Sequence, residues 1–113
     1  SYVARKKIRA GFVVCGIGSL SAATLRLADS PEPIERSEAF EILSLSGSLG
    51  SGGVHLHLSV ADAKGQMFGG HLLPGCKIRT TAEILILELL TLQFLRVEDP
   101  ATGYKELLMS HEK

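Results

Sequence analysis

Residues 54–69 constrain the fold more than any other stretch of this chain. From Val54 to Ala61 apolar and polar side chains alternate: Val54, Leu56, Leu58 and Val60 fall on one face, and His55, His57 and Ser59 on the other. A period of two sustained over this length is the pattern of a strand with one face on a core and one toward water. Asp62-Ala63-Lys64-Gly65 then supplies turn chemistry, and Gln66–Gly69 resumes as a strand. The pair predicts a hairpin, and therefore an antiparallel sheet.

The rest of the chain is read around that hairpin. Residues 1–9 read as the end of a helix, with Tyr2, Val3 and Ile8 as its apolar contacts; its uncapped start is expected to reflect lost upstream residues. Ala10–Cys15 is an apolar run rich in β-branched residues, expected to be a buried strand, and Gly16-Ile17-Gly18-Ser19 is expected to stop it as a turn. Ser21–Leu27 resumes as a strand in which Ala22, Thr24 and Arg26 share a face. From Ser30-Pro31-Glu32-Pro33 to Glu38, two prolines and several charges predict a loop without regular structure. Phe40–Leu45 is the next expected strand and Ser46–Gly53 a glycine/serine turn. Thr81–Val97 is ambiguous: its Ala, Glu and Leu content and the spacing of Leu85, Glu88, Leu89 and Leu92 favour helix, while apolar residues on both faces fit a doubly buried strand. Asp99–Gly103 predicts a turn and Tyr104–Met109 a last strand.

A chain of 113 residues with an apolar share of 45% fits one domain, 1–113, with an ample core. Lysine plus arginine and aspartate plus glutamate number 12 each, so the formal charge is zero. That balance argues against a free-standing nucleic-acid binder, which carries a basic excess or stripe. The one basic cluster, Arg5-Lys6-Lys7-Ile8-Arg9, reads as the solvated end of a helix. Cys15 and Cys76 lie among apolar or glycine neighbours and are expected to be buried, reduced thiols. The start of the chain carries no signal-peptide pattern, and the apolar run Ile84–Leu92 is broken by Glu88 and short of the roughly 20 residues a bilayer needs. The expected compartment is cytoplasmic, or nuclear if a segment outside this chain carries it there, with no membrane partner.

The chemistry concentrates in three histidines. His55 and His57, two apart on one strand, project from one face with Cα atoms roughly 6.6 Å apart. His71 follows Gly69-Gly70 just after the returning strand, which brings a third imidazole beside them. Three neutral nitrogens with a fourth position open is the donor set of catalytic zinc or of a ligand-accepting site. The bland alternative is polar residues on the wet face of a half-exposed sheet. Other candidates are weaker. Gly16-Ile17-Gly18-Ser19 lacks the third glycine of a dinucleotide-binding loop, since Ser21 stands there. Arg26 could bind an anion, but an ion pair with Glu41 or Glu83 is the favoured expectation. Glu83 is the carboxylate to watch, as support for a metal ligand or as a general base. His111 lies in a polar tail and is expected to be solvated.

Four ordered blocks carry a family resemblance: Gly18-Ser19-Leu20-Ser21-Ala22-Ala23-Thr24-Leu25-Arg26, Phe40-Glu41-Ile42-Leu43-Ser44-Leu45-Ser46-Gly47, His55-Leu56-His57-Leu58-Ser59 and Gly69-Gly70-His71-Leu72, followed by Thr81-Ala82-Glu83-Ile84. Together they resemble the PPC domain (plant and prokaryote conserved), over nearly the whole chain from Ile8 onward. The resemblance implies an α+β fold: an antiparallel, barrel-like sheet packed with one or two helices, assembled as a homotrimer. It also implies that Thr81–Val97 is largely one long strand, and that His55, His57 and His71 are metal ligands. Plant members follow an Arg-Gly-Arg-Pro AT-hook and carry Gly-Arg-Phe-Glu-Ile-Leu. This chain has no such hook and reads Glu38-Ala39-Phe40-Glu41-Ile42-Leu43, closer to the free-standing prokaryotic type. The functions then in view are a homotrimer that binds zinc or another divalent transition metal with a ligand-binding or regulatory role, a metal-dependent hydrolase or lyase, or a metal-free interaction module associated with DNA through other segments. No direct nucleic-acid binding is expected of this chain.

Overall fold

The computed structural model describes residues 2–111. It is a mostly antiparallel sheet, barrel-like but not closed, with one short helix among the described residues: α1 (Tyr2–Arg5), then β1 (Ala10–Arg26), β2 (Ile34–Arg36), β3 (Phe40–Gly50), β4 (Gly53–Ala61), β5 (Met67–Leu72), β6 (Lys77–Glu88), β7 (Leu92–Glu98) and β8 (Lys105–His111). The α+β, PPC-like architecture expected from the sequence is the one observed, with a single four-residue helix. No helix among the described residues is long and apolar enough to cross a membrane.

β1 is the axis of the sheet. Its first part lies between β3 and β6, and its last part between β2 and the end of β5. β3, β4 and β5 follow in order, and β5 curls back to meet β1 at only two pairs, Leu25 with Leu72 and Arg26 with His71. β7 and β8 form a separate hairpin. It is held to the larger sheet by buried Phe94, whose ring meets Phe12 edge-on at 5.5 Å and whose N–H donates to the Arg9 carbonyl at 2.8 Å.

The core gathers where β1, β3 and β4 present their apolar faces: Ala23, Leu25, Phe40, Ile42, Leu58 and Val60. Leu25 and Val60 are fully buried. Each such side chain contributes about 1.5–3 kcal/mol by leaving water. The alternation in Val54–Val60 is borne out toward its far end, where Leu58 and Val60 are buried, whereas Val54 is exposed.

Several sequence expectations are corrected. Gly16–Ser19 is no turn but the middle of a 17-residue strand, paired with β6 from Gly16 to Gly18 and with β3 at Gly18 and Ser19. Its glycines lie among register shifts between Val13 and Cys15 and between Gly18 and Leu20, where bulges bend a long strand around the sheet. The turn expected over Ser46–Gly53 shrinks to Ser51-Gly52, because β3 runs on to Gly50. The segment 30–38 contains β2, which pairs with Ala23–Leu25. Arg36 anchors it: the guanidinium lies 5.4 Å from the Phe40 ring centroid, 4.9 Å from that of Phe68 and 2.8 Å from Glu38 Oε2. Residues 81–97 are neither a helix nor one long strand. They belong to β6 and β7, with a reversal at Leu90-Thr91. The β6 ladder to β1, from Gly11–Glu88 to Ala22–Lys77, overrides the helical propensity of these residues. Both cysteines are free as expected, but Cys15 is exposed, pointing out of β1, and Cys76 is half-buried with Sγ 3.3 Å from the Thr24 nitrogen.

Candidate metal centre

The histidines are positioned by the strands alone. His55 and His57 project from the face of β4 opposite Leu56 and Leu58, and His57 is the direct cross-strand partner of His71 on β5. β5 reaches that place because it passes close to β1 at Gly70. A Cβ there would lie 2.6 Å from the Arg26 carbonyl oxygen, so a side chain would push His71 away.

The three rings converge. Their centroids are 5.0 Å apart for His55–His57, 5.0 Å for His55–His71 and 6.0 Å for His57–His71. One nitrogen from each ring lies within 4.8 Å of the others, and His55 Nε2 and His57 Nε2 are 3.2 Å apart. Tetrahedral zinc with bonds of about 2.0–2.1 Å sets its ligand nitrogens ~3.3–3.4 Å apart. The His55–His57 pair is already close to that spacing, and His71 offers a third donor within 4.8 Å. The cluster could hold a metal ion. Burial, followed by the charge of Arg96 and the neighbouring His57, holds the His55 pKa below its ordinary value. His71 is lowered likewise, by burial first and then by Arg26 and His55. Both shifts favour the neutral, donor form near pH 7.

The histidines open into a cleft of about 660 Å³ lined also by Arg26, Asp29 and Tyr104. Two smaller clefts, of about 320 and 330 Å³, meet at His55 and are lined by Arg96 and Glu106. Arg26 ends β1 opposite His71, and among the described residues no carboxylate lies within ion-pair distance of it, so the expected pair with Glu41 or Glu83 does not form. Glu83 faces solvent on β6 opposite Ile17 and lines none of these clefts. His111 pairs with Leu92 at the exposed end of β8.

Sequence reading missed Arg96. It lies on β7, and its guanidinium donates to Ser48 Oγ at 2.7 Å, Ser48 being the cross-strand partner of His55. No local signal marks it, because its approach depends on how the β7–β8 hairpin docks.

Fold and site together define a small barrel-like α+β domain with a three-histidine cluster at one end. The Plants and Prokaryotes Conserved (PCC) domain matches residues 1–90, and the chain belongs to that family. The hypothetical protein from Salmonella cholerae-suis has the same fold over 99% of this chain and 81% of its own, with TM-score 0.95 and 40% identity. A metal-containing protein from Archaeoglobus fulgidus is similar at TM-score 0.75 and 27% identity, over 95% of this chain and 79% of its own. In sequence the chain is 58% identical over 106 residues to the bifunctional protein GlmU of a Synechococcus strain. That match takes in 94% of this chain but 17% of the relative's length.

Proposed function

We propose that this chain is a homotrimeric PCC-domain protein that binds one divalent transition metal, zinc foremost, through His55, His57 and His71. The carrying observation is the convergence of three imidazole nitrogens within 4.8 Å of one another on two paired strands. Imidazole suits zinc among the divalent metals. A tetrahedral ion held by three nitrogens keeps a fourth position for a small ligand, which fits a ligand-binding or regulatory role. The metal in the related Archaeoglobus protein is in keeping with this reading.

Self-association is supported by β6, which among the described residues pairs with β1 along one edge only and whose apolar stretch Ile84–Leu87 is largely exposed. Ile84, Leu85 and Leu87 on β6 and Val14 and Ile17 on β1 are all about half exposed. An unpaired apolar edge of this kind is covered in stable proteins, and symmetric assembly covers it with further copies of the same strand. Light scattering at micromolar concentration is expected to give three times the chain mass; a monomer mass removes the trimer. The free thiols favour a reducing, cytoplasmic compartment.

Elemental mass spectrometry on protein purified without a histidine tag tests the metal. About one metal per chain, lost in a His55→Ala/His57→Ala variant, is expected. Protein that stays metal-free after zinc is offered defeats the reading.

A further inference from the structure

Two arginines converge on the histidine cluster from different strands, and neither has a carboxylate within ion-pair distance among the described residues. Arg26 comes from β1 beside His71, and Arg96 from β7 beside His55. They line one cleft with His55, His71 and Tyr104. Among the described residues, the other charged groups facing these clefts are Lys105, Asp29 and Glu106. Three cationic side chains thus face two carboxylates around a cluster that would itself hold a dication. Such a centre carries a large positive excess, unfavourable unless an anion enters with the metal.

We infer that the cleft binds a small organic anion that gives one oxygen of a carboxylate or phosphate group to the metal and the remaining oxygens to Arg26 and Arg96. This rests on the three-histidine metal site proposed above. The guanidinium fork matches the oxygens of either oxyanion. Arg96 is pre-positioned, since its bond to Ser48 fixes one nitrogen and leaves the other donors for a ligand. The cleft that both arginines line, about 330 Å³, shares Arg26, His55, His71 and Tyr104 with the adjoining one of about 660 Å³, and the two together offer far more room than an inorganic anion requires, in the size range of small-molecule sites. The oxyanion is therefore the head of a larger molecule whose body lies along the wall formed by Leu27, Ala28 and Pro31.

Cobalt(II) serves as the probe metal, because its visible absorption reports the ligand in the fourth position. The cobalt-loaded wild-type protein is titrated with inorganic phosphate, with acetate and with uncharged acetamide. Either anion is expected to change the spectrum saturably while acetamide does not, and the tighter of the two identifies phosphate or carboxylate as the head group. Arg26→Met and Arg96→Met are each expected to keep one cobalt per chain and to weaken the anion by about tenfold or more, with Lys variants recovering part of the loss. Retained cobalt shows that a variant is folded. Anion affinity unchanged in both Met variants, or equal responses to acetate and acetamide, overturns the inference while leaving the metal site intact. Failure of the wild-type protein to take up cobalt overturns the metal reading and this inference with it.

Discussion

Replacing Gly47 with alanine tests how the sheet places the histidines. Gly47 pairs with Leu56, between the pairs Ser46–His57 and Ser48–His55, so it sits directly across from the strand that carries two of the histidines. Its φ is +150°, and a Cβ there would collide with the His55 carbonyl oxygen and lie 2.8 Å from Leu56 Cα. Ordinary contact needs about 3.4 Å or more, so β3 and β4 must part by over half an ångström between the two histidines. The dihedral strain costs about 1–2 kcal/mol. Overpacking against backbone, which cannot swing aside as a side chain can, adds ~1–3 kcal/mol. Against a total stability of roughly 5–15 kcal/mol, a loss of about 2–5 kcal/mol lowers the midpoint of thermal unfolding by roughly 10–20 °C. Gly65→Ala is the control: φ is +79° but nothing lies within 4 Å, so only the dihedral strain applies, and the expected loss is about 1 kcal/mol. Thermal and urea unfolding of both variants, with zinc uptake measured beside them, gives the comparison. A Gly47→Ala loss no larger than that of Gly65→Ala refutes the close approach of β3 to β4, and with it the described support of the site.

Leu25→Ala empties a fully buried position at the centre of the core and is expected to cost about 2–5 kcal/mol in urea unfolding; a loss under 1 kcal/mol contradicts the core described. Stability without metal is expected to depend on pH in a definite sense. His55 and His71 have lowered pKa values in the fold, so the unfolded chain binds more protons as pH falls below the ordinary histidine value near 6.5. Their contribution is present above that pH and is lost below it. Guanidinium unfolding of the metal-free protein should show less stability at pH 5.5 than at 7.5, and the same dependence should be absent from a His55→Gln/His71→Gln variant; equal slopes in both proteins contradict the assignment. Zinc affinity should weaken over the same interval, since each ligand must be neutral to bind, and competition with a chromophoric chelator measures it.

Much of the site was legible in the residues because strand geometry is periodic. Alternation along Val54–Val60 sets two imidazoles on one face whatever the rest of the fold does, and a short turn at Asp62–Gly65 returns the chain beside them. The hairpin, the antiparallel sheet and the three-histidine cluster all follow from contacts close in sequence. What local pattern could not decide was pairing at a distance. Gly16–Ser19 read as a turn because glycine is locally ambiguous, and only the ladders to β6 and β3 make it strand. Residues 81–97 have helical propensity, a weak preference that the β6 ladder outweighs. Arg36 orders a proline-bearing segment through Phe40, Phe68 and Asp62, contacts no local reading contains. The charge around the histidine cluster belongs to the same class. Arg26 is visible as a candidate, but the ion pair with Glu41 or Glu83 expected of it does not form, and Arg96 reaches the histidine cluster only through the docking of a hairpin some forty residues further along the chain. Periodicity places neighbours on a face, whereas the electrostatics of a site sums over every element that packs against it, and that sum exists only in the folded chain.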